Sequence, residues 1–186
     1  MKRISFSILI IITLAFVAVS LPSCKSSKKD DSAYYNSKVE QIKKGKTKHD
    51  RNDNHSNGVT KSGKKIVKEA YGWLGTPYGY GRAEKGVACD CSGMVMSVYE
   101  KVTGIKLPRN SAKQMEFCKS IKRKDVKVGD LCFFATGKDP DKVSHVGIMI
   151  DDNNFIHSST SKGVVVSDIT QPYYVRTFKG FGRVSE

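Results

Sequence analysis

A thiol becomes a nucleophile only when a base takes its proton, and the imidazole that does so needs a polar group to fix its tautomer. Between Ile66 and Glu186 the sequence carries four cysteines (Cys89, Cys91, Cys118, Cys132) and two histidines, His145 and His157. Cys91 opens a run with helical spacing, and at a helix amino end the aligned backbone dipoles favour a thiolate. His145 opens a strand-like run and His157 lies in the next one, so neighbouring antiparallel strands can present both rings to one spot. A Cys from a helix layer and two His from a sheet would then converge at their interface. Cys89, Cys91, His145 and His157 are also zinc ligands by type. The Cys-x-Cys spacing is tighter than common structural-zinc loops, so neither a metal nor another cofactor is expected.

The elements that must position these groups are legible as a change of period. Ile66, Val67, Ala70, Tyr71 and Leu74 recur at helical spacing until Gly75 and Pro77. A second helix runs from Cys91 through Val95, Val98 and Val102 to a stop at Gly104. Ser111 to Gln114 reads as a capping box opening a short helix that reaches about Lys119. After Gly129-Asp130 the pattern becomes strand: Leu131 to Phe134, His145 to Ile150, Phe155 to Ser158, Gly163 to Val166, then a pair near Tyr173 to Phe178 and Gly180 to Val184. Helices first and strands after predict an α+β domain, with amino-terminal helices packed on one face of a mainly antiparallel sheet.

The chain has 186 residues and a formal net charge of +14, from 32 Lys and Arg against 18 Asp and Glu. Nine of the fourteen excess positive charges lie outside the expected fold, seven of them between Lys25 and Lys65. The remainder lacks a basic stripe or a nucleic-acid-binding motif, so no nucleic-acid partner is expected. Met1-Lys2-Arg3 followed by the uncharged apolar run Ile4 to Leu21 has the form of a secretion signal. The segment from Lys25 to Lys65 has too few apolar residues to offset the entropy of ordering it, and is expected to be a disordered basic tether. Its flexible span would be about 35 Å and its stretched reach roughly 140 Å. A monomer is expected.

Leu21-Pro22-Ser23-Cys24 resembles the lipobox of bacterial lipoproteins, with Pro22 departing from the commonest pattern. The resemblance implies a signal peptide over 1–23, diacylation of Cys24, and membrane anchoring of an exported protein, at the outer membrane if the host has two. Further on, Gly75-Thr76-Pro77-Tyr78, Asp90-Cys91-Ser92-Gly93, Leu107-Pro108-Arg109-Asn110-Ser111, Gly129-Asp130-Leu131, Ser144-His145-Val146-Gly147-Ile148 and Phe155-Ile156-His157-Ser158 occur in an order that resembles the NlpC family of bacterial cell-wall peptidases. The likeness covers 66–186 apart from the last two residues. It implies a papain-like cysteine endopeptidase cutting peptidoglycan stem peptides, typically at a γ-D-glutamyl bond to a diamino acid. By position it makes Cys91 the nucleophile, His145 the base and later acid, His157 the orienting third member, and Tyr78 an oxyanion stabiliser beside the Cys91 amide.

The same resemblance gives Asp90, Ser92 and Ser111 the role of receiving a substrate amino terminus. Asp90 and Ser111 are equally well placed as helix caps. Where the family often has a second Gly after the one matching Gly81, this chain has Arg82, which would narrow the cleft or attract a substrate carboxylate, or simply lie exposed. Cys89 sets a second thiol beside the candidate nucleophile, and pairing with Cys118 or Cys132 competes with buried free thiols. Two other functions use the same residues: a non-catalytic wall-binding adaptor, and a Cys/His acyltransferase or amidase on a related scaffold.

Overall fold

Asp90 begins the element on which the candidate site depends. Its backbone is extended and its carboxylate accepts from the Gly93 amide at 2.7 Å, satisfying one of the orphan donors of the following helix. The computed structural model describes residues 61–185. The expected signal peptide, Cys24 and the tether as far as residue 60 lie outside them.

In chain order the elements are α1 (Lys61–Tyr71), β1 (Ala83–Glu84), β2 (Ala88–Cys89), α2 (Cys91–Thr103), α3 (Ser111–Phe117), β3 (Lys119–Ile121), β4 (Leu131–Phe134), β5 (His145–Met149), β6 (Asn154–Ser159), β7 (Gly163–Asp168), α4 (Pro172–Thr177) and β8 (Phe178–Arg183). β1 and β2 form a small hairpin; the other six strands make one sheet in the order β3-β8-β4-β5-β6-β7, every neighbouring pair antiparallel. This is the α+β architecture expected. Among the described residues no helix is long and apolar enough to cross a membrane.

Strand alternation divides the buried side chains between two clusters. On one side Ile66, Val67 and Ala70 of α1 and Met94, Val95 and Val98 of α2 pack against Phe133, Val146, Ile148 and Ile156. On the other, Cys132, Phe134, Met149 and Phe155 pack with Ile169 and Phe181, and Tyr174 of α4 leans on them. At roughly 25 cal/mol per Å² of apolar area removed from water, these two clusters supply the main stabilisation of the fold.

Four local expectations are corrected. The first helix starts at Lys61, inside the segment read as tether: Gly63 is buried, and the backbone of Gly129 comes against its Cα, so tertiary contact orders residues too polar to order alone. It ends at Tyr71, with hydrogen-bonded turns continuing through Leu74. The third helix is capped by Asn110, which accepts from the Lys113 amide at 2.9 Å, while Ser111 is its first residue and Gln114 reaches back to the Ser92 and Pro108 carbonyls. Tyr173 to Thr177 is helical, with Pro172 at its first position; β-propensity loses to a proline that starts a helix and to the packing of Tyr174 on Phe134 and Phe155.

Candidate active site

Cys91 is the first residue of α2, buried with its sulfur against the backbone on both sides of His145. The Sγ lies 3.9 Å from the Ser144 carbonyl oxygen, and the Val146 amide is directed at it. Burial pushes the thiol up to about 11, and the Val146, Ser92 and Cys91 amides only partly oppose this. The expected helix-terminus effect is present but outweighed by desolvation. Burial likewise takes His145 down to about 4 and His157 well below its ordinary value. At neutral pH the free site therefore holds a neutral thiol and two neutral imidazoles.

The imidazoles meet directly: His145 Nε2 is 2.8 Å from His157 Nδ1, with the rings nearly perpendicular. Gly147 makes this possible. A Cβ there would lie 2.5 Å from Phe155 Cδ2, 3.0 Å from the Ile156 oxygen and 3.2 Å from the His157 Cβ, so only glycine lets β6 come this close to β5. His157 stacks on Phe155, two residues away on the same strand face, and touches Tyr174. The rings thus face the aromatic cluster under α4 rather than the main helix–sheet interface where they were expected. Cys91 meets the start of β5 through the backbone on either side of His145.

Asp90, 6% exposed, receives five donors. Oδ1 accepts from the Gly93 amide, from Ser92 Oγ at 3.2 Å and from Arg109 Nη1 at 2.8 Å; Oδ2 accepts from the Gly81 amide at 2.8 Å and from Arg109 Nη2 at 2.7 Å. Burial pushes this carboxyl up, but the Arg109 guanidinium and the Gly93 and Gly81 amides outweigh it, leaving it below its ordinary value. The group expected to meet a substrate ammonium is therefore already charge-paired, by a bidentate Arg109 that also binds Ser92 Oγ at 3.0 Å. Ser111 is buried nearby on α3. The stretch Leu107–Ser111 marks Arg109 with no local pattern, because its pairing with Asp90 spans nineteen positions.

Tyr78 lies beside Cys89 through a parallel bridge and is half-buried. Burial and the neighbouring Cys91 and Asp90 raise its hydroxyl pKa, which keeps it a donor. Arg82 is exposed and paired with Glu84 at 2.9 Å. All four described cysteines are free thiols, with Cys89 in the main cluster and Cys132 in the opposite one. Among the described residues no group of three or more His, Cys, Asp and Glu is placed to hold a metal ion. A groove of about 600 Å³ does exist elsewhere, lined by Lys61, Tyr99, Val102, Lys127, Arg183 and Ser185 among others, but it adjoins the far end of α2. Cys91 and Val102 are about 16 Å apart along the helix axis.

A buried thiol against a histidine strand, a second imidazole behind the first, and a donor tyrosine alongside can together perform acyl transfer. The NlpC/P60 family profile matches residues 75–183. The chain is similar to a probable endopeptidase of Haemophilus influenzae, 38% identical over 114 residues covering 61% of this chain and 69% of the relative. It is also similar to the murein DD-endopeptidase MepS/murein LD-carboxypeptidase of Escherichia coli, 36% identical over 121 residues covering 64% of this chain and 62% of that protein. Among solved structures, an NlpC/P60 family protein from Bacillus cereus superposes with a TM-score of 0.62 at 29% identity, over 69% of this chain and 42% of that one. The match extends over more than half of the sequence, and the chain belongs to the NlpC/P60 family.

Proposed function

We propose that the protein is a peptidoglycan hydrolase, a cysteine endopeptidase of stem peptides. The observation that carries this reading is the placement of Cys91 against the backbone flanking His145, whose ring is hydrogen-bonded to His157. Substrate binding brings Cys91 and His145 into reaction: the thiol proton passes to His145, the sulfur attacks the amide carbonyl, and His145 returns a proton to the leaving amine before water hydrolyses the thioester. The Cys91 amide and the Tyr78 hydroxyl stabilise the oxyanion. His157 orients His145.

The bond proposed is the γ-D-glutamyl bond to a diamino acid; the name of the Escherichia coli relative makes the D,D cross-link the competing choice. Arg109 neutralises Asp90, so this pocket offers a substrate amine little net charge, and stems whose amino terminus is blocked by attachment to glycan should be accepted. Arg82, exposed and paired with Glu84, would exchange that pairing for a substrate carboxylate. Export and a lipid anchor at Cys24, ahead of the basic segment, complete the proposal and rest on the sequence pattern alone.

The test is mass spectrometry of defined muropeptides and free stem peptides incubated with the reduced full chain and its Cys91→Ala variant. Cleavage by the parent alone supports the reading, and the product masses identify the bond. Folded, reduced protein that binds wall fragments without releasing a new amine would replace it with the adaptor reading.

A further inference from the structure

Two hydroxyls lie behind the imidazole pair. Ser167 Oγ is 2.9 Å from His157 Nε2, the Tyr174 hydroxyl is 3.3 Å from the same nitrogen, and Tyr174 donates to Ser167 Oγ at 3.2 Å. Ser167 comes from β7, two pairs along from the residue facing His157: the register matches His157 with Val165 and Phe155 with Ser167, which puts Ser167 on the His157 face. Tyr174 comes from α4. The line therefore runs Cys91, His145, His157, then Ser167 with Tyr174.

We propose that Ser167 and Tyr174 are positioning residues that accept the His157 ring proton at Nε2 and so support the tautomer in which His145 presents an unprotonated Nδ1 to Cys91. The argument rests on Cys91 as nucleophile and His145 as base. His145 Nε2 is taken by His157, which leaves Nδ1, the nitrogen nearer the backbone that Cys91 abuts, to accept the thiol proton. Nε2 must then carry the ring proton and donate to His157 Nδ1. His157 in turn must hold its proton on Nε2, where two hydroxyl oxygens accept it. The opposite tautomer of His157 would aim an N–H at His145 Nε2, force the His145 proton onto Nδ1 and block the transfer.

Proton transfer makes the requirement absolute. When the Cys91 proton arrives at His145 Nδ1, the sulfur keeps the electron pair, His145 carries N–H on both nitrogens, and only a His157 with a free Nδ1 lone pair can accept from it. The His157 Nε2–H, on a residue 2% exposed, then has only these two hydroxyls as partners among the described residues. An unmet buried donor is expensive, so their removal should fall on the chemical step rather than on binding.

The experiment compares the full chain with Ser167→Ala/Tyr174→Phe, Ser167→Ala and Ser167→Thr variants, under reducing conditions. The double variant is expected to lose about tenfold or more in kcat with KM within about twofold, Ser167→Ala to lose less, and Ser167→Thr, which keeps the hydroxyl, to recover most of the rate. ¹⁵N imidazole spectra should report the Nε2–H tautomer for His157 in the parent and a mixture in the double variant. An Nδ1–H His157 in the parent, unchanged kcat in the double variant, or a Ser167→Thr variant as slow as the double one would each overturn the proposal. A parent that cleaves no wall peptide would overturn the proposed function instead, and the spectra would still decide the tautomer.

Discussion

Replacing Arg109 by Gln removes two of the five donors around Asp90 and the only full positive charge among them. The carboxylate side chain is 9% exposed and keeps its Gly93, Gly81 and Ser92 donors. Breaking a buried ion pair typically costs 3–5 kcal/mol, but the Arg109 side chain is 41% exposed and water can partly replace it. The expected loss is about 2 kcal/mol. For a domain of this length that is a fall of about 8 °C in Tm. Asp90→Asn keeps a good cap and leaves a solvated Arg109, so it should cost about 1 kcal/mol. In the double variant the penalty of an unpaired carboxylate disappears, and its cost should fall short of the sum by about 1.5 kcal/mol. Because Asp90 titrates below its ordinary value in the fold, its contribution is complete above the unfolded carboxyl pKa and lost as pH falls through the folded one. The gap between parent and Arg109→Gln should therefore close on acidification. Urea unfolding of the four proteins at neutral and acid pH provides the cycle; additive costs, or a gap that widens in acid, would refute this account of Asp90.

Other perturbations test the site from different sides. Gly147→Ala should cost 1–3 kcal/mol through overpacking, roughly, and at least about tenfold in kcat/KM, because β6 must retreat and stretch the His145–His157 bond; a stable, fully active variant would show that the close approach does not matter. Tyr78→Phe should lower kcat by about 10- to 100-fold with little change in KM, and an unchanged kcat would remove Tyr78 from the oxyanion site. Burial lowers His145 from 6.5 to about 4, so the unfolded chain binds this proton first and stability falls as pH drops through that window. That single group accounts for about 3 kcal/mol across it, and a His145→Gln curve parallel to the parent's by chemical denaturation would contradict the shift.

The sequence disclosed those parts of the fold whose signals are local. Asp90 before an apolar helical run and Gly104 after it bound α2 correctly, and Leu131 to Phe134 stands where it was expected. Cys91, His145 and His157 were expected to meet; the structure joins the His145 ring to that of His157 and sets the Cys91 sulfur against the backbone flanking His145. Lys119–Ile121 was missed because nothing in three such residues indicates a strand; their pairing with Phe181–Arg183 makes them one. Ser167 was invisible for a related reason, since its place behind His157 depends on the β6–β7 register. Tyr174 was misplaced with its element, and Arg109 acts across a separation that no periodicity covers.

The groove at the far end of α2 is bordered both by Lys61 and Ser62, where the described chain enters the domain, and by Val184 and Ser185, where it leaves. Entry and exit thus share the carboxyl end of α2, and Cys91 lies at its amino end, about 16 Å away along the axis. A cargo, label or leash joined at either end hangs behind the domain, leaving its working end turned outward. Coupling the protein to a surface through residue 61 or 185 should leave the thiol as accessible as it is in free solution.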